Sequence, residues 1–511
     1  MILSSWSVAL QGIDGHAVEV EAAEGGGLPR TQIVGLPDKA LNEAKERVKA
    51  AARACELKWP EQLCTINLSP AGLPKAGTHY DLAIAVAALG TQGLISPDKA
   101  TRTVLLGELA LDGRVRRVRG ILPAMLAAVK AGFERAIVPT GQVAEAALVP
   151  GIAVEGAGRL DEVVQLVNGL TVENPSEAAQ PSEPAPDVRP AFVPDLADVV
   201  GHEDGKFALE VAAAGRHHLF LHGAPGVGKT MLASRLPSIL PDLDDDESVE
   251  VSALHSLAGH ELTGLITRPP FADPHHSTTP VALVGGGSGE LKPGAISLAH
   301  RGVLFLDEAP DFGAKLDALR TPLENGWINV SRARMSTRFP ARFQLILAAN
   351  PCPCGKYGVQ GMDCTCDSVK VRRYQERLSG PILDRIDIKH QMAGINRMLL
   401  DVGTATTPEA SAAVLERVLA ARERQRHRLR RTPWTTNGEV AGPYLRKHLP
   451  LPSDLGVLNS ALQRGSISAR GVDKVLRLAW TLTDLAGAGQ ITNRELRAAL
   501  QLRQGEQERA A

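Results

Sequence analysis

The sequence is sparing with cysteine, has no excess of charge of either sign and contains no long apolar run. Six cysteines in 511 residues rule out a disulfide framework as the source of stability. A chain of this length can instead fold on apolar burial in roughly two to four domains. Lys and Arg total 56 against 57 for Asp and Glu, so net charge points neither to a nucleic-acid binder nor to an acidic partner, and any basic surface must be local. No window reaches the roughly 18 apolar residues that a membrane-spanning helix needs. The start, "MILSSWSVALQGIDG", lacks a basic n-region, and its apolar run before Gln11 is too short for a signal peptide. The expectation is a soluble cytoplasmic protein with no membrane partner, in a compartment where clustered cysteines serve as metal ligands rather than disulfides.

Against that scarcity, four of the six cysteines fall in "NPCPCGKYGVQGMDCTC", Asn350 to Cys366. Cys352-x-Cys354 and Cys364-x-Cys366 are separated by nine residues, so one loop could bring four thiolates to a tetrahedral Zn²⁺. The C-x-C spacing is tighter than that of the common zinc knuckle, which leaves free thiols or an oxidation-labile pair as the alternative. Lys356, Lys370, Arg372 and Arg373 make this segment locally basic, suited to facing a partner. Cys55 and Cys64 have no partner pattern and read as small buried hydrophobes.

Composition changes sharply at "VENPSEAAQPSEPAPDVRP", a Pro, Glu, Ala and Ser-rich stretch that cannot bury enough to fold and divides the chain at a linker, 171–192. Before it, in 1–170, "TINLSP", "TVLLGEL" and "RAIVP" read as strands among Ala-rich helices such as "KALNEAKERVKAAARA" and "DLAIAVAALG". That is an α/β or α+β domain. After it, in 193–395, the apolar runs "HHLFLHG", "GVLFLDE" and "FQLILAANP" read as buried parallel strands of a doubly wound α/β sheet. The remainder, 396–511, reads as helical.

"GAPGVGKT" fits G-x-x-x-x-G-K-[ST] and lies between a strand and a helical stretch, as that motif requires. In the loop Gly223, Ala224, Pro225, Gly226, Val227 and Gly228, backbone N–H groups can close around phosphates. Lys229 would neutralise the β- and γ-phosphates, and Thr230 would offer a hydroxyl to Mg²⁺. About eighty residues on, "GVLFLDEAP" ends a buried strand in adjacent acids. Asp307 suits the Mg²⁺ shell and Glu308 the polarisation of an attacking water. Asn350 ends a third strand, where a polar side chain could orient that water beside the γ-phosphate. The pattern calls for ATP and Mg²⁺.

Phosphate loop, Asp-Glu strand and Asn-terminated strand, in that order and followed by a helical segment containing "SAR", resemble an AAA+ ATPase with a helical lid. The stretches "DPHHSTTPVALVGGGSGELKPGAISLAHRGVLFLDEAP" and "LSGPILDRIDI" resemble the magnesium-chelatase branch, which also resembles the MCM helicases. The domain organisation resembles the ComM (YifB-like) subfamily. By that resemblance Arg385 is an arginine finger reaching a neighbouring subunit's nucleotide, and Arg470 is a second sensor. A guanidinium can stabilise the spread charge of the phosphoryl transition state. Arg385 could instead form a local ion pair with Asp384 or Asp387. His275 and His276, taken as neighbours pointing apart on a strand with no third ligand, are expected to be structural.

In the first domain, "NLSPAGLPKAGTHYDLAIAVAAL" with "LLGELALDGRVRRVRGILPAMLAAVKAGF" resembles the Lon-protease-like (S5 domain 2-like) α+β fold. Where Lon proteases carry a Ser and a Lys, this chain has His79 and Ala124, so peptidase chemistry has no carrier. Two runs could meet nucleic acid: Arg114, Arg116, Arg117 and Arg119, and the helical stripes Arg422, Arg426, Arg430 and Arg424, Arg428, Arg431. Each could equally be a solvated face. The resemblance implies a homohexameric helicase that promotes branch migration of DNA recombination intermediates, as in natural transformation. The alternative is the ATPase motor subunit of a magnesium chelatase.

Overall fold

The structure is a computed structural model; it describes residues 2–35, 38–172, 176, 194–287, 291–332, 335–359, 362–393, 408–452 and 454–505. Nearly all of the linker stretch, and the junction expected at 395–396, lie outside the described residues.

The N-terminal domain is built on a seven-stranded mixed sheet. Its strands are β1 (Ile2–Gln11), β2 (Asp14–Gly25), β3 (Arg30–Val34), β4 (Leu63–Ser69), β5 (Thr103–Leu105), β6 (Arg135–Pro139) and β7 (Ala153–Ala157), in the order β3-β4-β2-β1-β5-β6-β7. β2 runs antiparallel to both β1 and β4, and the other neighbours are parallel. The helix Lys39–Ala54 starts where Asp38 accepts the Leu41 N–H, and it buries Leu41, Ala44, Val48, Ala51 and Ala52 at helical spacing. The helix Asp81–Gly90 is buried along its whole length.

The second domain carries a five-stranded parallel sheet. Its strands are β8 (Leu219–Gly223), β9 (Phe271–Ala272), β10 (Val303–Leu306), β13 (Gln344–Ala349) and β14 (Ile388–Met392), ordered β9-β10-β13-β8-β14. The antiparallel hairpin β11 (Trp327–Arg332) and β12 (Met335–Pro340) is inserted between β10 and β13. β10 and β13 are buried at every position, as strands covered on both faces must be. Because all five strands are parallel, their C-terminal ends share one edge, where open α/β sheets bind ligands.

The helices Ser411–Leu429, Gly442–His448, Gly456–Gln463, Ala469–Leu485 and Asn493–Gln504 form the C-terminal part. They share one apolar core with the sheet: Val414, Val418, Leu478 and Ala479 join Leu219, Leu221 and Ile346. The N-terminal domain also packs directly on the second domain. Gly120 N–H donates to Ser256 O at 3.0 Å, and Leu122 N–H to Ser256 Oγ at 3.2 Å. Ala253 and Leu262 enter the apolar cluster of Leu122 and Met125.

Candidate nucleotide site

β8 leads straight into the loop Gly223 to Gly228, whose Gly226 (φ +77°) and Gly228 (φ +87°) adopt the left-handed backbone that a tight phosphate-binding turn needs. The helix that follows is shorter than the sequence suggests: it covers only Lys229–Ala233 before a 3₁₀ turn at Leu236–Ile239.

β13 lies between β8 and β10, with His222 opposite Ala349 and Leu306 opposite Leu347. That register brings Asn350, Asp307 and the loop to one place. Lys229 Nζ donates to Gly223 O, Ala224 O and Asn350 Oδ1, each at 2.9 Å. Thr230 Oγ1 donates to Asp307 Oδ2 at 2.6 Å. Burial lowers the Lys229 pKa, against the pull of Asp307 and Glu308. The ammonium could exchange backbone carbonyls for phosphate oxygens, and Thr230 with Asp307 forms a hard-oxygen pair that could hold Mg²⁺. Glu308 sits at φ +50°, a sharp turn off the end of β10, and its N–H donates to Asp307 Oδ1 at 2.8 Å.

His276 Nδ1 lies 3.1 Å from Glu308 Oε2. The two histidines are not on a strand and do not point apart: they follow β9 in a turn, with ring centroids 4.0 Å apart. The Asp273-Pro274 pair just before them was the signal that a turn starts there. Lys315 Nζ holds this turn by donating to His276 O at 2.6 Å and Thr278 O at 2.9 Å.

Arg385 is not brought to the phosphate loop. Its guanidinium pairs with Glu324 and donates to Pro381 O at 2.7 Å. The local pair is therefore neither of the two aspartates expected. Asp387 is buried against Lys474 Nζ at 2.5 Å and the His218 N–H at 3.0 Å, and Asp384 faces Arg503 at 4.0 Å. Lys474 Nζ also donates to the Arg385 carbonyl oxygen at 2.8 Å, tying the Arg385 backbone to the helical part. Arg470 is exposed at the start of the helix Ala469–Leu485, which is capped by Ser468.

The four clustered cysteines converge. Sγ separations are 3.3 Å for Cys352 and Cys354, 3.7 Å for Cys352 and Cys364 and 3.5 Å for Cys354 and Cys364, and one ligand atom from each of the four lies within 4.8 Å of the others. Thiolates about 2.3 Å from a tetrahedral zinc stand a little under 4 Å apart, so the donor set fits that ion. The Tyr357 N–H donates to Cys352 Sγ at 3.3 Å, as backbone amides do around metal thiolates.

Much of the expected basic surface serves the fold instead. Arg422 donates to Ala213 O, and Arg424 donates to Asp484 O. Arg428 grips both carboxylate oxygens of Asp484 at 2.6 Å and lies over the Trp480 ring at 4.3 Å. Of the stripes, Arg426 pairs with Glu423 at the surface, Arg430 lies beside His427 and Arg431 is exposed. In the first domain Arg114 pairs with Asp112, Arg116 with Glu108 and Arg117 with Glu261 across the domain contact. His79 is buried with Nε2 2.8 Å from Val8 O, and Ala124 is buried in the helix Ile121–Lys130.

This fold and this edge define an ATPase domain of the phosphate-loop class. Residues 195–399 match the family described as magnesium chelatase, subunit ChlI; residues 18–142 match "Subunit ChlI of Mg-chelatase"; residues 408–503 match the ChlI C-terminal family. The chain is 49% identical over 504 residues to an uncharacterized protein of Mycobacterium tuberculosis, covering 98% of each. It is 40% identical to YifB of Escherichia coli and 39% identical to competence protein ComM of Haemophilus influenzae, covering in both cases 97% of this chain and 96% of the relative. The chain belongs to the ComM/YifB-like group of the magnesium-chelatase family of AAA+ ATPases. Among the described residues no helix is long and apolar enough to cross a membrane.

Proposed function

We propose that the protein is a cytoplasmic, ATP-driven motor that assembles as a homohexamer and promotes branch migration of DNA recombination intermediates, as in natural transformation. The observation that carries this reading is the near full-length similarity to a protein named for competence, over a chain that joins the ATPase to a further α/β domain and a four-cysteine loop. A motor subunit of a magnesium chelatase lacks the four-cysteine loop in the pattern of that family, so the DNA reading is favoured. We take the N-terminal domain as a Lon-protease-like module without peptidase chemistry, since buried His79 and Ala124 supply neither nucleophile nor amine.

In the proposed mechanism Lys229 and the loop Gly223 to Gly228 hold the phosphates, and Thr230 and Asp307 hold Mg²⁺. Glu308 polarises the attacking water, Asn350 orients it, and Arg470 acts as second sensor. Arg385 reaches the nucleotide of the adjacent subunit; its contacts with Glu324 and Pro381, away from its own phosphate loop, support a role in trans. Cys352, Cys354, Cys364 and Cys366 hold a structural Zn²⁺. Purified protein is expected to hydrolyse ATP, to be stimulated by four-way-junction DNA and not by a porphyrin, and to lose turnover but not ATP binding in Glu308→Gln. Stimulation by the porphyrin alone would replace the DNA motor with the chelatase reading.

A further inference from the structure

The four-cysteine loop leaves β13 directly after Asn350, and both that strand end and the loop itself contact the segment that carries the phosphate loop. Asn350, two residues before Cys352, accepts from Lys229 at 2.9 Å. Beyond the first cysteine pair, Gly355 lies against the ring of Pro225, the third residue of the phosphate loop. A Cβ at position 355 would fall inside the van der Waals envelope of Pro225 Cγ and Cδ. Gly355 is fixed there by its own N–H, which donates to Cys352 O at 2.9 Å, and by a left-handed backbone at φ +76°. Cys352 is fully buried. A second strand of support comes from the helix Ser368–Glu376, where Gln375 Nε2 donates to Pro351 O at 3.1 Å.

We infer that Gly355 is a positioning residue for the phosphate loop, so that the order of the four-cysteine cluster sets how tightly the ATPase binds nucleotide. The physical basis is that a phosphate loop binds through backbone N–H groups, whose directions depend on a rigid backing. Pro225 stiffens one side of that loop, and the turn Cys352 to Gly355 backs the proline ring. With the four sulfurs gathered, the turn is held; with them released, nothing else among the described residues packs on Gly355 as closely as Pro225 does. This inference rests on the proposed nucleotide site.

The loop supplies its own control. Gly358 has the same left-handed backbone, φ +70°, but a Cβ there meets open space. Gly355→Ala and Gly358→Ala therefore carry similar backbone strain, and only the first displaces Pro225. The experiment measures the Kd of a fluorescent ATP analogue, the zinc content by elemental analysis and the melting temperature for wild type, both variants, Gly355→Ala with Pro225→Ala, and Lys229→Ala. Gly355→Ala is expected to weaken nucleotide binding about tenfold or more relative to Gly358→Ala, with zinc content equal in the two. Removing the proline ring in the double variant is expected to recover most of that loss. Stripping the metal from wild-type protein with a chelator is expected to weaken binding in the same direction, reversibly on adding zinc; this arm needs no variant to fold.

Equal Kd in the two alanine variants, or an ATP affinity indifferent to the chelator, would overturn the inference. If Lys229→Ala also bound the analogue normally, the nucleotide-site reading itself would be wrong; if Lys229→Ala lost binding and Gly355→Ala did not, only the positioning role would fall.

Discussion

Lys75 in the first domain and Lys229 in the second are both buried, 1% and 8% exposed, and both are held by backbone carbonyls. Lys75 Nζ donates to Gly35 O at 3.2 Å, to Leu68 O at 3.0 Å and to Pro70 O, cross-linking the ends of β3 and β4. Among the described residues no carboxylate pairs with it, and burial lowers its pKa. Lys229 differs in what surrounds it rather than in its own bonds. It stands at the open C-terminal edge of a parallel sheet, where burial still lowers its pKa but Asp307 and Glu308 offset part of that cost. Two of its acceptors belong to a glycine-rich loop that can rearrange around a phosphate. One lysine is a staple, and the other, on the proposed reading of the site, is a cation awaiting phosphate.

The largest effect expected from that contrast is functional at one position and structural at the other. Lys229→Ala should keep its fold and lose ATP binding by roughly a hundredfold or more, as removal of a charge-assisted phosphate contact does. Lys75→Met should bind ATP as wild type does while losing about 2 kcal/mol of stability, because three buried carbonyls lose their donor. Titration with a fluorescent ATP analogue and thermal denaturation of both variants check this. Normal binding by Lys229→Ala, or lost binding by Lys75→Met at an unchanged melting temperature, would break the comparison.

Arginines repeat the contrast. Arg428 is locked by buried Asp484 and by Trp480 inside the helical part, whereas Arg385, equally buried itself, is held by Glu324, a partner that is more than half exposed. A pair with so exposed a carboxylate is worth about 1 kcal/mol, so on the proposed role in trans a neighbouring subunit's nucleotide would draw Arg385 away at small cost. Arg385→Ala should therefore bind ATP with little change yet hydrolyse it roughly a thousandfold more slowly. Mixed with Lys229→Ala subunits, it should regain part of the lost turnover, since one interface in the mixed ring pairs an intact phosphate loop with an intact arginine. Absence of complementation at concentrations where the protein assembles would place Arg385 in cis.

The parts of this site that the sequence displays are those whose meaning is local. Gly223 to Thr230 is one contiguous turn, Asp307 and Glu308 end one apolar run, and Asn350 ends another, so strand reading alone puts all three on a common sheet edge. The helices around "KALNEAKERVKAAARA" and "DLAIAVAALG" were equally legible: the first buries residues at helical spacing, and the second is an Ala-rich apolar run buried along its whole length. What stayed hidden depends on contacts between residues distant in the chain. Arg422 of one stripe and Arg424 and Arg428 of the other look like solvated faces until Ala213, Asp484 and Trp480 are placed beside them. Glu324 as the partner of Arg385 lies 61 residues away, and nothing in "LDRID" points to it. The His276 contact with Glu308 had a partial signal in the Asp-Pro turn, but the pairing itself is tertiary.

The smallest effect lies where the two domains meet. Glu145 is 4% exposed in the first domain, and burial pushes its pKa up to about 7 despite Ser256, Arg117 and Gln142, which pull it down; Glu261 adds to the rise. The folded protein thus holds this proton more tightly than the unfolded chain does. Below about pH 4.5 both states are protonated and Glu145 costs nothing; as pH rises toward 7 the unfolded chain ionises first, and stability falls across that window. The full loss is at most about 3 kcal/mol. Glu145→Gln, neutral at every pH, should therefore melt close to wild type at pH 5 and a few degrees above it at pH 8, with ATP affinity unchanged at both. Since Ser256 and Arg117 join the domain contact themselves, a rise in melting temperature confined to alkaline pH would place the penalty at that contact, while parallel profiles for the two proteins would show that Glu145 ionises freely in the fold.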